Sequence, residues 1–354
     1  MSKLVLCVLL PLLPLCAATP CTTANPSCTE WVALGGSSRS LIYRTYPLDT
    51  RNEQITRALV MIHGSGRDAD HYFSTALAAA FLGNALEDTV VIAPRIASAA
   101  RGCGDTLTAG EVSYSCSGDS WRSGGTALND SKLTSFDFID HLLRKLARKD
   151  IFPNLRNVVV AGHSAGGQFV NRYEMANQVN DTLGVTVTYV VANPSSYAYL
   201  DETRPDARDW PVSAGAPGYV PAAQGQEDGG GSGDGFGAFR DARDCTTYNL
   251  WPYGLQRRSG YTARLTDEQL KKQLAARPVT YMLGELDVLP LGGFDSSCPA
   301  MAQGPTRLAR GLAFSKRVNQ AFGAHHRAIV IPLCGHNARC MFTADPALPV
   351  LFPK

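Results

Sequence analysis

Asn157-Val158-Val159-Val160-Ala161-Gly162-His163-Ser164-Ala165-Gly166 decides the reading of this chain. A short β-branched run with no polar alternation reads as a strand covered on both faces. Small residues then bracket a serine, and a helical pattern follows Gly166. A G-x-S-x-G pentapeptide alone is a weak signal, since a glycine-rich turn can carry an idle serine. At a strand-to-helix turn it holds a hydroxyl in the open, where a base can reach it.

The neighbouring runs agree with that placement. Residues 58–62, 89–93, 186–191, 279–283 and 327–331 are equally short and apolar, and 41–46 alternates like an edge strand. Between them lie helical patterns at 74–86 and 306–322. Phe136, Ile139, Leu142, Leu143 and Leu146 share one helical face. Strands alternating with helices predict an α/β fold, with a mostly parallel sheet and helices on both faces. Reactive groups are then expected at the carboxyl ends of the strands. Residues 95–133 and 193–275 interrupt the rhythm. The second stretch holds a Gly/Asp tract at 224–236 that lacks the ligand spacing of a calcium loop.

The chain has 354 residues, of which 45% are hydrophobic and 18% charged, enough for a sizeable core. A net charge of +2, from 33 basic and 31 acidic residues, supports neither nucleic-acid binding nor an anionic-lipid surface. Residues 1–18 read as a signal peptide: Lys3, an apolar run over 4–15, then Cys16-Ala17-Ala18. That run is too short, and too interrupted by Pro11 and Pro14, to be a stable membrane anchor. Lipid attachment at Cys16 is disfavoured by the bulky Leu15. Residues 19–40 are expected to form an exposed entry segment, and the protein is expected to be secreted.

Removal of Cys7 and Cys16 leaves an even number of cysteines, which in an exported chain suggests disulfides. Proximity favours Cys21–Cys28, Cys103–Cys116 and Cys334–Cys340, with Cys245–Cys298 remaining. Zinc spacing is absent, and no cofactor or metal is expected. Asn129 and Asn180 begin glycosylation sequons.

A serine nucleophile needs a histidine base, and the chain has seven. His163 adjoins the serine and points elsewhere on a tight turn. His141 lies in an amphipathic helix, and His325 and His326 precede a strand. His336 follows the strand at 327–331, in Cys334-Gly335-His336-Asn337, at the correct end of the sheet. The acid that orients it is expected at Asp287, just past the strand at 279–283, with Glu285 and Asp295 as competitors. Backbone donors for an oxyanion are expected from Ala165 and from Gly64 or Ser65, in His63-Gly64-Ser65-Gly66.

These motifs make the chain resemble secreted α/β-hydrolases over residues 41–342. His63 to Gly66 match the oxyanion loop, Gly162 to Gly166 the nucleophile elbow, and Asp287 and His336 the acid and base. Residues 162–173 are also similar to bacterial and fungal hydrolases related to extracellular polyester depolymerases and feruloyl esterases. The resemblance implies one hydrolase domain over 41–354 with a lid inserted at about 193–275. In it Trp210, Tyr248, Trp251 and Tyr253 either line an acyl or aryl pocket or form the lid's own core. The implied activity is hydrolysis of a small-molecule or polymeric carboxylic ester. A peptidase or amidase using the same triad, and a non-catalytic binding protein on the same scaffold, are the alternatives.

Overall fold

The structure, a computed structural model, describes residues 19–117, 120–205, 235–239 and 242–354. The expected signal peptide, Trp210 and residues 224–234 of the Gly/Asp tract lie outside the described residues. In chain order the elements are β1 (Thr29–Gly35), β2 (Ser38–Arg44), β3 (Arg57–Ile62), α1 (Ala69–Leu82), β4 (Thr89–Pro94), α2 (Ser135–Leu146) and β5 (Asn157–His163). Then come α3 (Ala165–Ala176), β6 (Thr186–Ala192), β7 (Thr203–Pro205), β8 (Phe236–Ala238), α4 (Asp267–Ala276) and β9 (Val279–Gly284). The chain ends with α5 (Cys298–Met301), α6 (Arg307–Phe322), β10 (Arg327–Ile331), α7 (Ala338–Thr343) and α8 (Leu348–Leu351).

Eight strands form one sheet in the order β1-β2-β4-β3-β5-β6-β9-β10, and β7 pairs with β8 apart from it. β1 and β2 run antiparallel to their neighbours, while all pairs from β4 to β10 are parallel. Because side chains alternate across a strand, β5 feeds both cores. Val158 and Val160 join α2, α3, α4 and α6 on one face, and Val159 and Ala161 join α1, α7 and α8 on the other. This is the mostly parallel α/β fold expected from the apolar runs.

One boundary differs from the sequence reading. Residues 41–46 were expected to be the edge, but β2 is covered by β1, which lies inside the stretch expected to be an exposed entry segment. Val32 and Leu34 of β1 are buried, and Arg39 stacks on Trp31 at 4.2 Å. The Ser/Gly-rich surroundings hide this short alternation. Gly36 and Ser37 form the hairpin turn that returns the chain into β2, and Gly35 and Gly36 both take positive φ there.

The three cysteine pairs favoured by proximity, Cys21–Cys28, Cys103–Cys116 and Cys334–Cys340, and the remaining pair Cys245–Cys298 are all at disulfide distance. Among the described residues no helix is long and apolar enough to cross a membrane.

The described parts of the stretch 193–275 are anchored in the core. Tyr197 stacks on Phe314 with ring centroids 4.7 Å apart. Tyr261 packs edge-on to Phe136 at 5.6 Å, and Phe136 also meets Phe169 at 4.8 Å and Tyr173 at 5.2 Å. Phe136 thus joins α2, α3 and this insertion. Phe136→Ala is expected to lower the unfolding free energy by about 3–5 kcal/mol, read from urea denaturation. A loss below about 1 kcal/mol would mean that the cluster does not hold these elements together.

Candidate active site

The turn after β5 is set by close backbone contact. A Cβ on Gly162 would lie 2.3 Å from the Gly166 carbonyl oxygen, and one on Gly166 would lie 2.3 Å from the Ile62 oxygen and 2.6 Å from the His63 oxygen. No side chain fits in either place. The chain reverses at Ser164, which takes φ 59° and ψ −118°, a strained conformation for a residue with a Cβ. The Ser164 N–H donates to Ala192 O at 3.0 Å, and its own carbonyl accepts from Gln168 N–H at 3.0 Å. The elbow is therefore held by β6 on one side and α3 on the other. Its side chain is only partly buried.

His336 comes from the loop beyond β10, where the Cys334–Cys340 bridge brackets it and Asn337 caps α7. Its Nε2 lies 2.9 Å from Ser164 Oγ, and its Nδ1 lies 2.7 Å from Asp287 Oδ2. An ionised carboxylate can only accept, so Nδ1–H donates to Asp287 and Nε2 is left to accept from the serine hydroxyl. Asp287 sits in the turn beyond β9, almost fully buried. The competing acids are engaged elsewhere. Glu285 accepts the Leu333 N–H at 2.9 Å, and Asp295 accepts the Tyr253 hydroxyl at 2.8 Å.

Two further residues hold this arrangement. Arg307 is wholly buried and donates from Nη1 to Asp287 Oδ1 at 3.2 Å, from Nε to Ser195 Oγ at 2.8 Å and from Nη2 to Gly292 O at 2.9 Å. It compensates the buried carboxylate on the side away from the imidazole. Asn193, at φ 42°, accepts the Gly284 N–H at 2.7 Å and donates to Gly335 O at 3.3 Å. One amide thereby ties the strand before Asp287 to the loop that carries His336. An Asn-Pro pair after a strand was the visible signal for Asn193; no local pattern marks Arg307.

The remaining histidines have other duties. His163 lies with its ring 4.6 Å from that of His336 and its Nδ1 3.3 Å from the Tyr72 hydroxyl. Burial pushes its pKa well below the ordinary range, so it packs as a neutral ring. His63 accepts the Ile96 N–H on Nε2 at 3.1 Å, which leaves Nδ1–H to donate to Gly64 O at 3.0 Å. That bond orients the loop that follows β3. β3 and β5 pair with Ile62 opposite Gly162, so Gly64 and Ser65 leave the sheet beside Ala165. Ala165 opens α3, where its N–H has no partner within the helix.

A parallel sheet whose adjacent strands end in a glycine loop and a serine elbow, with Asp287 and His336 beyond later strands, is a hydrolase scaffold. Residues 59–350 match the model of the Alpha/beta hydrolase family, and the chain belongs to that family. Two solved structures are similar. A poly(3-hydroxybutyrate) depolymerase from Bordetella parapertussis is 18% identical, with 89% of each chain covered and a TM-score of 0.56. A poly(aspartic acid) hydrolase from Sphingomonas sp. KT-1 is 21% identical, with 88% of this chain and 94% of that chain covered and a TM-score of 0.57. At these identities the likeness is one of fold. No curated protein sequence matches the chain.

His63 gives the site a pH signature. Burial lowers its pKa from 6.5 to about 4. Between those values the unfolded chain binds a proton that the folded protein refuses. The stability tied to His63 is therefore full above pH 6.5 and falls as the pH drops towards about 4, by roughly 3 kcal/mol in all. His163 adds the same sign, whereas Asp140, raised to about 6 by burial, works in the opposite direction. Comparison with His63→Asn isolates the term: the wild type should lose more stability than the variant between pH 6.5 and 4. Parallel curves would show that His63 is not the neutral buried ring described.

Proposed function

We propose that this hydrolase is an exported serine esterase. Ser164 is the nucleophile, His336 the general base and Asp287 the residue that orients and stabilises the imidazolium. The supporting observation is the unbroken hydrogen-bond chain from Ser164 Oγ through His336 to Asp287 Oδ2. As Oγ attacks the ester carbonyl, its proton passes to His336 Nε2 and an Oγ–C bond forms. The negative charge that develops on the carbonyl oxygen is met by the N–H of Ala165 and by that of Gly64 or Ser65. Collapse breaks the C–O bond to the alcohol, and the leaving oxygen takes the proton from His336. Water then repeats the sequence on the acyl-enzyme and frees Ser164.

The described parts of residues 193–275 suit a cover over this rim. Ser195 is bound to Arg307, and the Tyr253 hydroxyl to Asp295. Tyr248, Trp251 and Tyr253 are half-buried, which fits a role in the cover's own packing as well as at a pocket wall. Disulfides on both sides of the sheet fit an oxidising compartment, and residues 1–18 fit an export signal. Export would expose Asn129 and Asn180 to glycosylation.

The mature chain should hydrolyse p-nitrophenyl butyrate, and Ser164→Ala should lower kcat by at least about a thousandfold. Asp287→Asn should cause a comparable loss by favouring the wrong imidazole tautomer. Equal rates for wild type and Ser164→Ala would remove the serine from the mechanism.

A further inference from the structure

Against Gln168, one turn along α3 from the nucleophile, lies the guanidinium of Arg122, which forms no ion pair with a described residue. Trp121 is fully buried in a single 3-10 turn, Trp121–Ser123, its ring edge-on to His63 at 5.0 Å and 6.2 Å from Phe169. That anchor fixes the backbone of Arg122. Arg122 Nη1 reaches Gln168 Oε1 at 3.5 Å, and Nε reaches Ser120 Oγ at 3.3 Å. Gln168 is the residue whose N–H is bonded to the Ser164 carbonyl. Arg122 Nη2 makes no hydrogen bond to any described residue and is not sealed from solvent. No carboxylate among the described residues forms an ion pair with this side chain.

The groups facing it leave the surplus positive. From α3 comes Arg172, fully buried, which donates only to neutral oxygens: Pro252 O at 3.2 Å, Arg122 O at 3.3 Å and Ser196 Oγ at 3.1 Å. The carboxylate whose charge reaches both Arg122 and Arg172 is Asp295, which accepts hydrogen bonds from Tyr253 and Ser297 and makes no ion pair with either guanidinium, so one positive charge of the two is left over. Burial lowers the pKa of both Arg122 and Arg172, the sign of cations whose solvation is incompletely replaced. A buried charge without a partner is costly, and an anion brought by a ligand would offset that cost.

We propose that Arg122 is the anion-binding residue of a substrate subsite beside Ser164. The ester cleaved there carries a carboxylate that meets the open edge of the Arg122 guanidinium. This rests on the esterase reading above. A guanidinium with a free edge accepts the two oxygens of a carboxylate side by side, which fixes the substrate's direction as well as its affinity.

The test compares the mono-p-nitrophenyl ester of glutaric acid with p-nitrophenyl valerate, which matches its acyl chain length and lacks the charge. Wild-type kcat/KM should favour the glutarate ester by about tenfold or more, and added salt should shrink that ratio. Arg122→Gln should reduce the ratio by about tenfold, and Arg122→Lys should retain part of it. Should Arg122→Gln fail to fold, the wild-type ratio and its salt dependence still decide. A wild-type ratio near one, or an equal ratio in wild type and Arg122→Gln, overturns the subsite while Ser164-dependent valerate hydrolysis stands. Hydrolysis of neither ester overturns the esterase reading and the subsite with it.

Discussion

The carboxyl ends of β3 and β5 meet the start of α3 with no room for a side chain between them. Gly166 lies against the Ile62 and His63 carbonyls, and Gly162 against the Gly166 carbonyl. This backbone-on-backbone contact forces the reversal at Ser164 and brings the loop after β3 level with the first N–H of α3. The nucleophile and the oxyanion donors of the proposed mechanism thus derive from one packing constraint. His63 serves it too, since its neutral imidazole links Ile96 to Gly64 and holds the glycine loop in one orientation.

Asp287 and His336, the acid and base of the proposed mechanism, are held differently, by polar ties across the later strands. Asn193 joins Gly284 to Gly335, the Leu286 N–H donates to Cys334 O at 2.9 Å, and a disulfide closes the loop that carries His336. Arg307 lies wholly buried against Asp287. Removing either partner would leave a lone charge in the interior, so the pair is costly to break whatever its net worth. Asp287 lies beneath the imidazole, where a positive charge develops during the proposed proton transfer.

Much of this was readable in advance because it depends on local pattern. β-branched runs such as 157–161 and 279–283 have no other stable reading at that length. The order of Ser164, Asp287 and His336 along the chain follows the order of the strands that carry them. β1 escaped notice because four alternating residues in a Ser/Gly-rich stretch gain their meaning only from pairing with β2. Arg307 and Asn193 escaped for a related reason: each acts through partners far away in sequence, and an arginine in a helix or an asparagine before a proline has many ordinary roles. Arg122 became visible only once its place against Gln168, without an ion pair among the described residues, could be seen in three dimensions.

The central claim is that Ser164 is activated by His336 in the folded protein. The direct measurement is labelling with a fluorophosphonate at neutral pH, followed by mass spectrometry of the digested chain. One adduct is expected, on the peptide containing Ser164, formed by the native protein and abolished by prior unfolding or by His336→Ala. A native protein that remains unlabelled, or one labelled on a different serine, would contradict it.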